Sequence, residues 1–176
     1  LRVHPAFIPT SSVLASIHGA LNAVFLEGAM LGPSLLSGYG AGAMPTAMSV
    51  VSDLVDVGRN TLRGSRGRVP QRTVRSDLLA HRQVQPAGML VSPYYLRFGV
   101  HDRPNVIAKI ASVLGAFDIA IHQMIQEART SDPGSKMDVV VFTRPTRDDA
   151  LRSALREIQM LSGIVETPRA IRVESA

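Results

Sequence analysis

The chain has 176 residues, 45% of them apolar, and a formal net charge of +5. That length suits one domain or two small ones with a substantial core. The absence of cysteine excludes disulfides and thiolate metal sites, and no apolar run reaches the roughly 18 residues of a membrane-spanning helix.

The opening Leu1-Arg2-Val3-His4-Pro5 has neither a leader pattern nor an initiating Met, so the chain is expected to begin inside a longer protein. Leu1-Arg2-Val3 reads as the tail of a strand, and Pro5 and Pro9 bracket an extended segment. Ser11 or Ser12 is a candidate cap for a short helical stretch over 13–17. Residues 20–27 form an apolar run that predicts a strand ending at Gly28, and 31–37 predict a second strand paired with it. Gly38, Gly40 and Gly42 then alternate before a helix predicted over 45–60. Pro45 suits its first turn, and Ala47, Val50, Val51, Leu54, Val55 and Gly58 form a small, apolar face at helical spacing, expected to pack. A glycine loop that opens into a helix offers free N–H groups and a positive dipole end, which suit an anion. On shape alone, a tight turn into a packed helix is the preferred reading of the loop.

Between Arg59 and Arg82 lie seven arginines and one acid, Asp77. The run has no aromatic residue for base stacking and is broken by Gly64, Gly67 and Pro70, so a solvated linker is preferred over a nucleic-acid surface. A helical turn or two is expected over 74–83, ended by Pro86-Ala87-Gly88.

The remainder has a clear order: a strand over 95–100, a helix over 104–117 and a strand over 119–128. A Ser131-Asp132-Pro133-Gly134 turn, a Val-rich strand over 138–143, a helix begun by Pro145-Thr146 with Thr146 as N-cap, and a closing strand over 170–174 follow. Val106, Ile107, Ile110, Ala111, Val113 and Leu114 point inward from the first helix, and Ala150, Leu151, Ala154, Leu155 and Ile158 from the second. The order βαββαβ is the ferredoxin-like split unit, so the class is α+β. Where the first strand runs into the first helix, the N–H groups of 105–107 and the carboxylate of Asp102 form a corner suited to a small amino acid. The alternative is an ordinary turn capped by Asp102. His4, His18, His101 and His122 are scattered without ligand spacing, so no metal site is expected. Glu27 and Asp53 are too far apart in sequence to read as a catalytic pair. Met44, Met48, Met124, Met137 and Met160 are expected to fill core.

The segment from Tyr95 through Asp102-Arg103-Pro104 and Ile107-Ala108-Lys109-Ile110 to Phe117-Asp118-Ile119-Ala120-Ile121 resembles the ACT domain, a regulatory module that binds amino acids at dimeric interfaces. Asn105 stands where that family usually has glycine. The stretches Leu1-Arg2-Val3-His4-Pro5-Ala6-Phe7-Ile8-Pro9, Asn22-Ala23-Val24-Phe25-Leu26-Glu27-Gly28 and the loop from Gly38 to Pro45-Thr46-Ala47 with Asp53-Leu54-Val55 resemble the later part of homoserine dehydrogenase. The resemblance covers nearly all of the chain outside the linker. It implies a partial α/β catalytic-region fragment over 1–62, a basic linker over 63–92 and an ACT domain over 93–176.

In that family the enzyme interconverts aspartate 4-semialdehyde and homoserine with NADP or NAD. The dinucleotide fingerprint, the catalytic lysines, the acids that hold homoserine and the sodium site all precede the part matched here. No catalytic residue is therefore assigned to this chain. The resemblance implies cofactor contact at Gly42, with Gly40 and Ala41 beside it. It implies an amino-acid effector, threonine favoured, at Asp102, Asn105, Val106 and Ile107, with Gln123 as a polar contact. It further implies a cytoplasmic homo-oligomer, dimeric through the catalytic region and the ACT domain, with neither membrane nor nucleic acid as partner.

Overall fold

The computed structural model describes residues 3–65, 83–128 and 136–174. The helical turn or two expected over 74–83 (apart from Gln83), most of the arginine run and the 131–134 turn lie outside them. The chain divides into two compact units, Thr10–Gln83 and a second made of Leu1–Pro9 with Val84–Ala176.

The unit Thr10–Gln83 begins with a 3-10 turn, Val13–Ser16, whose N-cap is Ser12; the Ser12 hydroxyl accepts from the Leu14 N–H at 3.3 Å. Strands β2, Leu21–Gly28, and β3, Gly32–Tyr39, then form an antiparallel hairpin in unbroken register, Leu21 opposite Tyr39 and Gly28 opposite Gly32. The apolar runs and their glycine boundaries predict this pairing. Helix α1, Ala43–Leu62, follows. Its apolar face is not packed: none of its residues is buried, and Met44, Met48, Val50, Val51, Leu54, Val55 and Val57 stand exposed. The expectation that Met44 and Met48 fill core fails for that reason. Met160 is also exposed, whereas Met137 is buried and Met124 packs against the core.

The other unit is a βαββαβ fold. Its elements are β5, Tyr94–His101; α2, Val106–Ala116; β6, Ile121–Ala128; β7, Lys136–Thr143; α3, Asp148–Gln159; and β9, Arg169–Val173. The sheet order is β1-β9-β5-β7-β6, where β1 is Ala6–Phe7 at the N-terminal end of the chain. Pairings within the βαββαβ part are antiparallel, while β1 joins β9 in parallel, Ala6 opposite Arg172. A two-residue pair, β4, Val91–Ser92, with β8, Thr146–Arg147, lies beside this sheet.

Alternation explains the strands. Leu96, Phe98 and Val100 of β5 and Val139 and Val141 of β7 are wholly buried, as period two requires when one face meets helices. Helix α2 buries Val106, Ile110, Val113 and Leu114, and α3 buries Leu151, Ala154 and Ile158, each a stripe at three- and four-residue spacing. Burial of each large side chain contributes about 1.5–3 kcal/mol. The opposite sheet face carries a line of aromatic edges: Phe7 meets Tyr95 at 5.2 Å and Tyr95 meets Phe142 at 5.5 Å between ring centroids. Phe7 thereby fixes residues 6–7 to this unit, along with the Glu174 N–H that donates to the Phe7 carbonyl at 2.8 Å.

Helix α3 starts later than expected. Thr146 is a buried strand residue opposite Ser92, and the N-cap is Arg147, which makes no side-chain capping bond. The pairing with β4, which lies far away in sequence, overrides the local Pro-Thr signal.

Candidate functional site

The glycine loop is shaped by two steric demands. The Gly40 N–H donates to the Ala20 carbonyl at 3.2 Å and so extends the hairpin past Tyr39. A Cβ at Gly40 would sit 1.6 Å from Nδ2 of Asn22, so this close approach leaves no room for a side chain unless Asn22 turns away. Gly42 has φ of 122° and is the N-cap of α1, a conformation that glycine alone adopts without strain. It makes no side-chain cap, and the first turn carries no acid. Gly40, Ala41 and Gly42 are exposed. The helix start therefore keeps its positive end and free N–H groups available to an anion. Gly40 also borders a shallow hollow of about 300 Å³ on the hairpin, with Asn22, Val24, Leu36 and Tyr39.

The second candidate is the corner between β5 and α2. Asp102, Arg103, Pro104 and Asn105 are exposed there. The N-cap of α2 is Asn105, in left-handed geometry with φ of 68°, and it makes no side-chain cap. The role as cap suggested for Asp102 thus falls to Asn105. The Val106 N–H reaches the Arg103 carbonyl only at 3.5 Å, the weak end of hydrogen bonding. The Val106 side chain is core and Ile107 is half-buried, so backbone N–H groups are what these residues present. Asp102, Asn105, Val106 and Ile107 share one corner. Gln123 does not join them within this chain: it is exposed on the edge strand β6, opposite Phe142 and beside a register shift, and β7 lies between β6 and β5.

A third arrangement was not foreseen from sequence. Asp148, the first residue of α3, is buried; it accepts from the Tyr94 hydroxyl at 3.1 Å and pairs with Arg152 at 2.7 Å. The Arg172 guanidinium lies 6.0 Å from the Tyr94 ring centroid and 3.5 Å from the Glu174 carboxylate. Burial raises the Tyr94 hydroxyl above its ordinary pKa; Arg172 opposes this and Asp148 adds to it. Tyr94, Asp148, Arg152 and Arg172 line a cavity of about 240 Å³ with Leu151, Leu155 and His4. The usable sequence signal was the Asp148-Asp149 pair at a helix start, but its partners come from distant strands. Among the described residues no group of three His, Asp or Glu is placed to hold a metal, and no helix is long and apolar enough to cross a membrane.

Comparison with known proteins bears on both predicted sites. Residues 1–55 match the homoserine dehydrogenase family model, and residues 94–159 match the ACT domain model. The homoserine dehydrogenase of Pseudomonas aeruginosa is 34% identical over 174 residues, covering 99% of this chain and 40% of that protein. That of Neisseria gonorrhoeae is 33% identical over 175 residues, with the same shares. The chain matches the C-terminal portion of homoserine dehydrogenases. The crystal structure of a homoserine dehydrogenase from Thiobacillus denitrificans superposes with a TM-score of 0.80 at 35% identity, covering 99% of this chain and 38% of that one. The chain thus spans about two-fifths of the length of these homoserine dehydrogenases. The glycine loop falls in the part matching the homoserine dehydrogenase model, and the β5–α2 corner falls in the ACT domain.

Proposed function

We propose that the chain is the C-terminal part of an NAD(P)-dependent homoserine dehydrogenase, interconverting aspartate 4-semialdehyde and L-homoserine in the synthesis of threonine, methionine and isoleucine. Its functional parts are a catalytic-region segment over 1–62, a linker over 63–92 and an ACT domain over 93–176, a division that the β1–β9 pairing crosses. The observation that carries the reading is the loop at Gly40–Ala41–Gly42. Gly42 holds φ of 122° at an uncapped, acid-free helix start inside the segment that matches the homoserine dehydrogenase model. The residues fit a dinucleotide: exposed N–H groups and a positive helix end face an anionic group without a side chain in the way. When bound, the nicotinamide cofactor supplies or accepts the hydride. Gly40, Ala41 and Gly42 bind and orient it, and the catalytic lysine and homoserine-binding acids belong to the part of the enzyme that this chain does not match. The exposed apolar face of α1 and the apolar hairpin residues Val24, Leu26 and Leu36 fit burial within a larger cytoplasmic homo-oligomer.

The ACT corner is read as an amino-acid sensor, threonine favoured, with the effector carboxylate on the N–H groups of 105–107 and its ammonium on Asp102. Gln123 then acts from the β6 edge across a dimer interface. The alternative is an amino-acid-binding or dimerisation module without catalysis. Titration of the chain with threonine, isoleucine, methionine and lysine, followed by calorimetry and amide chemical shifts, separates these outcomes. Threonine is expected to shift the amides of 105–107 and Gln123, and Asp102→Ala to weaken binding by about tenfold. No response to any of the four leaves dimerisation alone. The chain by itself is expected to show no homoserine-dependent reduction of NAD(P), and such activity would overturn the assignment of catalysis to other residues.

A further inference from the structure

The cavity between α3, β9 and the N-terminal segment shares no lining residue with either site above. Its two arginines are held unequally. Arg152 is taken up by Asp148 at 2.7 Å, and Asp148 also holds the Tyr94 hydroxyl. Arg172 meets Tyr94, its guanidinium 6.0 Å from the ring centroid, and Glu174 at 3.5 Å, on a side chain 46% exposed and so screened by water. Its Nη2 is buried and has no hydrogen-bond partner among the described residues. The buried Asp148 Oδ2 is met by Arg152 Nε at 2.7 Å, whereas a buried guanidinium N–H left without an acceptor costs about 1–3 kcal/mol, so the group in need of a partner here is the Arg172 donor. Leu151, Leu155 and Ile171 supply an aliphatic wall. His4 and Arg172 also line a second, adjoining hollow of about 660 Å³, so the guanidinium stands between two spaces. His4 and Pro5 belong to the segment matching the homoserine dehydrogenase model, while the rest of the lining is ACT domain or the strand that completes it.

We propose that this cavity binds a small aliphatic carboxylate on Arg172 and that its occupation clamps residues 3–9 onto β9. The carboxylate takes the unused fork of Arg172 after a small adjustment of that side chain, because a paired guanidinium is the arrangement the geometry lacks. The aliphatic body lies against Leu155 and Ile171. The unpartnered Nη2 of Arg172 favours an anion over a cation, and the apolar wall favours an organic acid over inorganic phosphate. Since β1 pairs with β9 next to Arg172, ligand binding ties a strand of the catalytic-region match to the last strand of the ACT fold.

The test is titration of the full 176-residue chain, followed by amide chemical shifts, with isovalerate, its neutral isostere isovaleramide, and inorganic phosphate. Isovalerate is expected to shift the amides of Leu155, Ile171 and Arg172 saturably and to slow hydrogen exchange at the Glu174 amide, which is bonded to Phe7. Isovaleramide and phosphate are expected to do neither. Arg172→Gln is expected to weaken isovalerate binding by at least about tenfold. Ala170→Phe, at an exposed cavity-lining position, blocks the space without removing charge and decides the matter if Arg172→Gln fails to fold. Asp102→Ala is expected to leave these shifts intact, so failure here and failure of the effector corner are separable. Absence of saturable shifts, equal binding of isovaleramide or phosphate, or full binding by Ala170→Phe overturns the proposal.

Discussion

Asn105 concentrates the physical question of the ACT corner in one residue. It holds φ of 68°, a region that costs an ordinary L-residue about 1–2 kcal/mol and that asparagine tolerates better than most. Its backbone accepts the Lys109 N–H at 3.0 Å, the first bond of the helix ladder. Asn105→Ala is therefore expected to destabilise the C-terminal unit by about 1 kcal/mol, while Asn105→Gly stays within about 0.5 kcal/mol of the parent. Urea unfolding measured by circular dichroism checks both; equal losses would show that the side chain, not the left-handed backbone, matters. The left-handed turn was legible because asparagine stands where the resembled family has glycine. The Arg172 cluster was not legible, because Tyr94, Asp148 and Arg172 meet only after β5, α3 and β9 are assembled. No local pattern encodes a contact between residues 94 and 148.

Among the elements, those with strict periodicity could be read directly. The apolar alternation of β5 and β7 and the stripes of α2 and α3 announce both type and buried face. The failures share a cause. Thr146 reads as a cap until β8 pairs with β4, where a long-range ladder outweighs local propensity; residues 6–7 are extended as expected, and what was missed is their pairing with the distant β9. The start of α3 also sets a pH response. The Tyr94 pKa is raised above 10.0, by burial first and with help from Asp148. A folded-state value above the unfolded one means that the contribution is complete below pH 10.0 and is lost as pH rises through the folded value. Unfolding midpoints of the C-terminal unit are thus expected to fall above pH 10. Tyr94→Phe is expected to flatten that fall while lowering stability at neutral pH by about 1–2 kcal/mol, through the donor withdrawn from Asp148. A midpoint curve for Tyr94→Phe as steep as the parent's would assign the alkaline loss to another group.

At the scale of the molecule, the two units have unequal means of stability. Among the described residues the C-terminal unit encloses fifteen buried apolar residues, from Tyr94 to Ile158. In Thr10–Gln83, Ser12 is the sole buried position among the described residues, and α1 buries nothing. A two-stranded hairpin and a lone helix are each marginal in water, so this unit has local hydrogen bonds but little hydrophobic burial to oppose chain entropy. Local opening of β2, β3 and α1 therefore costs much less than opening β5, β7 or α2. Hydrogen exchange of the full chain is expected to be at least about a hundredfold faster at amides of β2, β3 and α1, a difference near 2.7 kcal/mol at 25 °C. Denaturant is expected to melt the two units in separate steps. The protection should rise in the N-terminal elements when their apolar faces are covered and stay nearly constant in β5 and β7. Equal protection of both units in the isolated chain would mean that the exposed faces of α1 and the hairpin are buried by self-association, which a concentration series of the same exchange experiment would reveal.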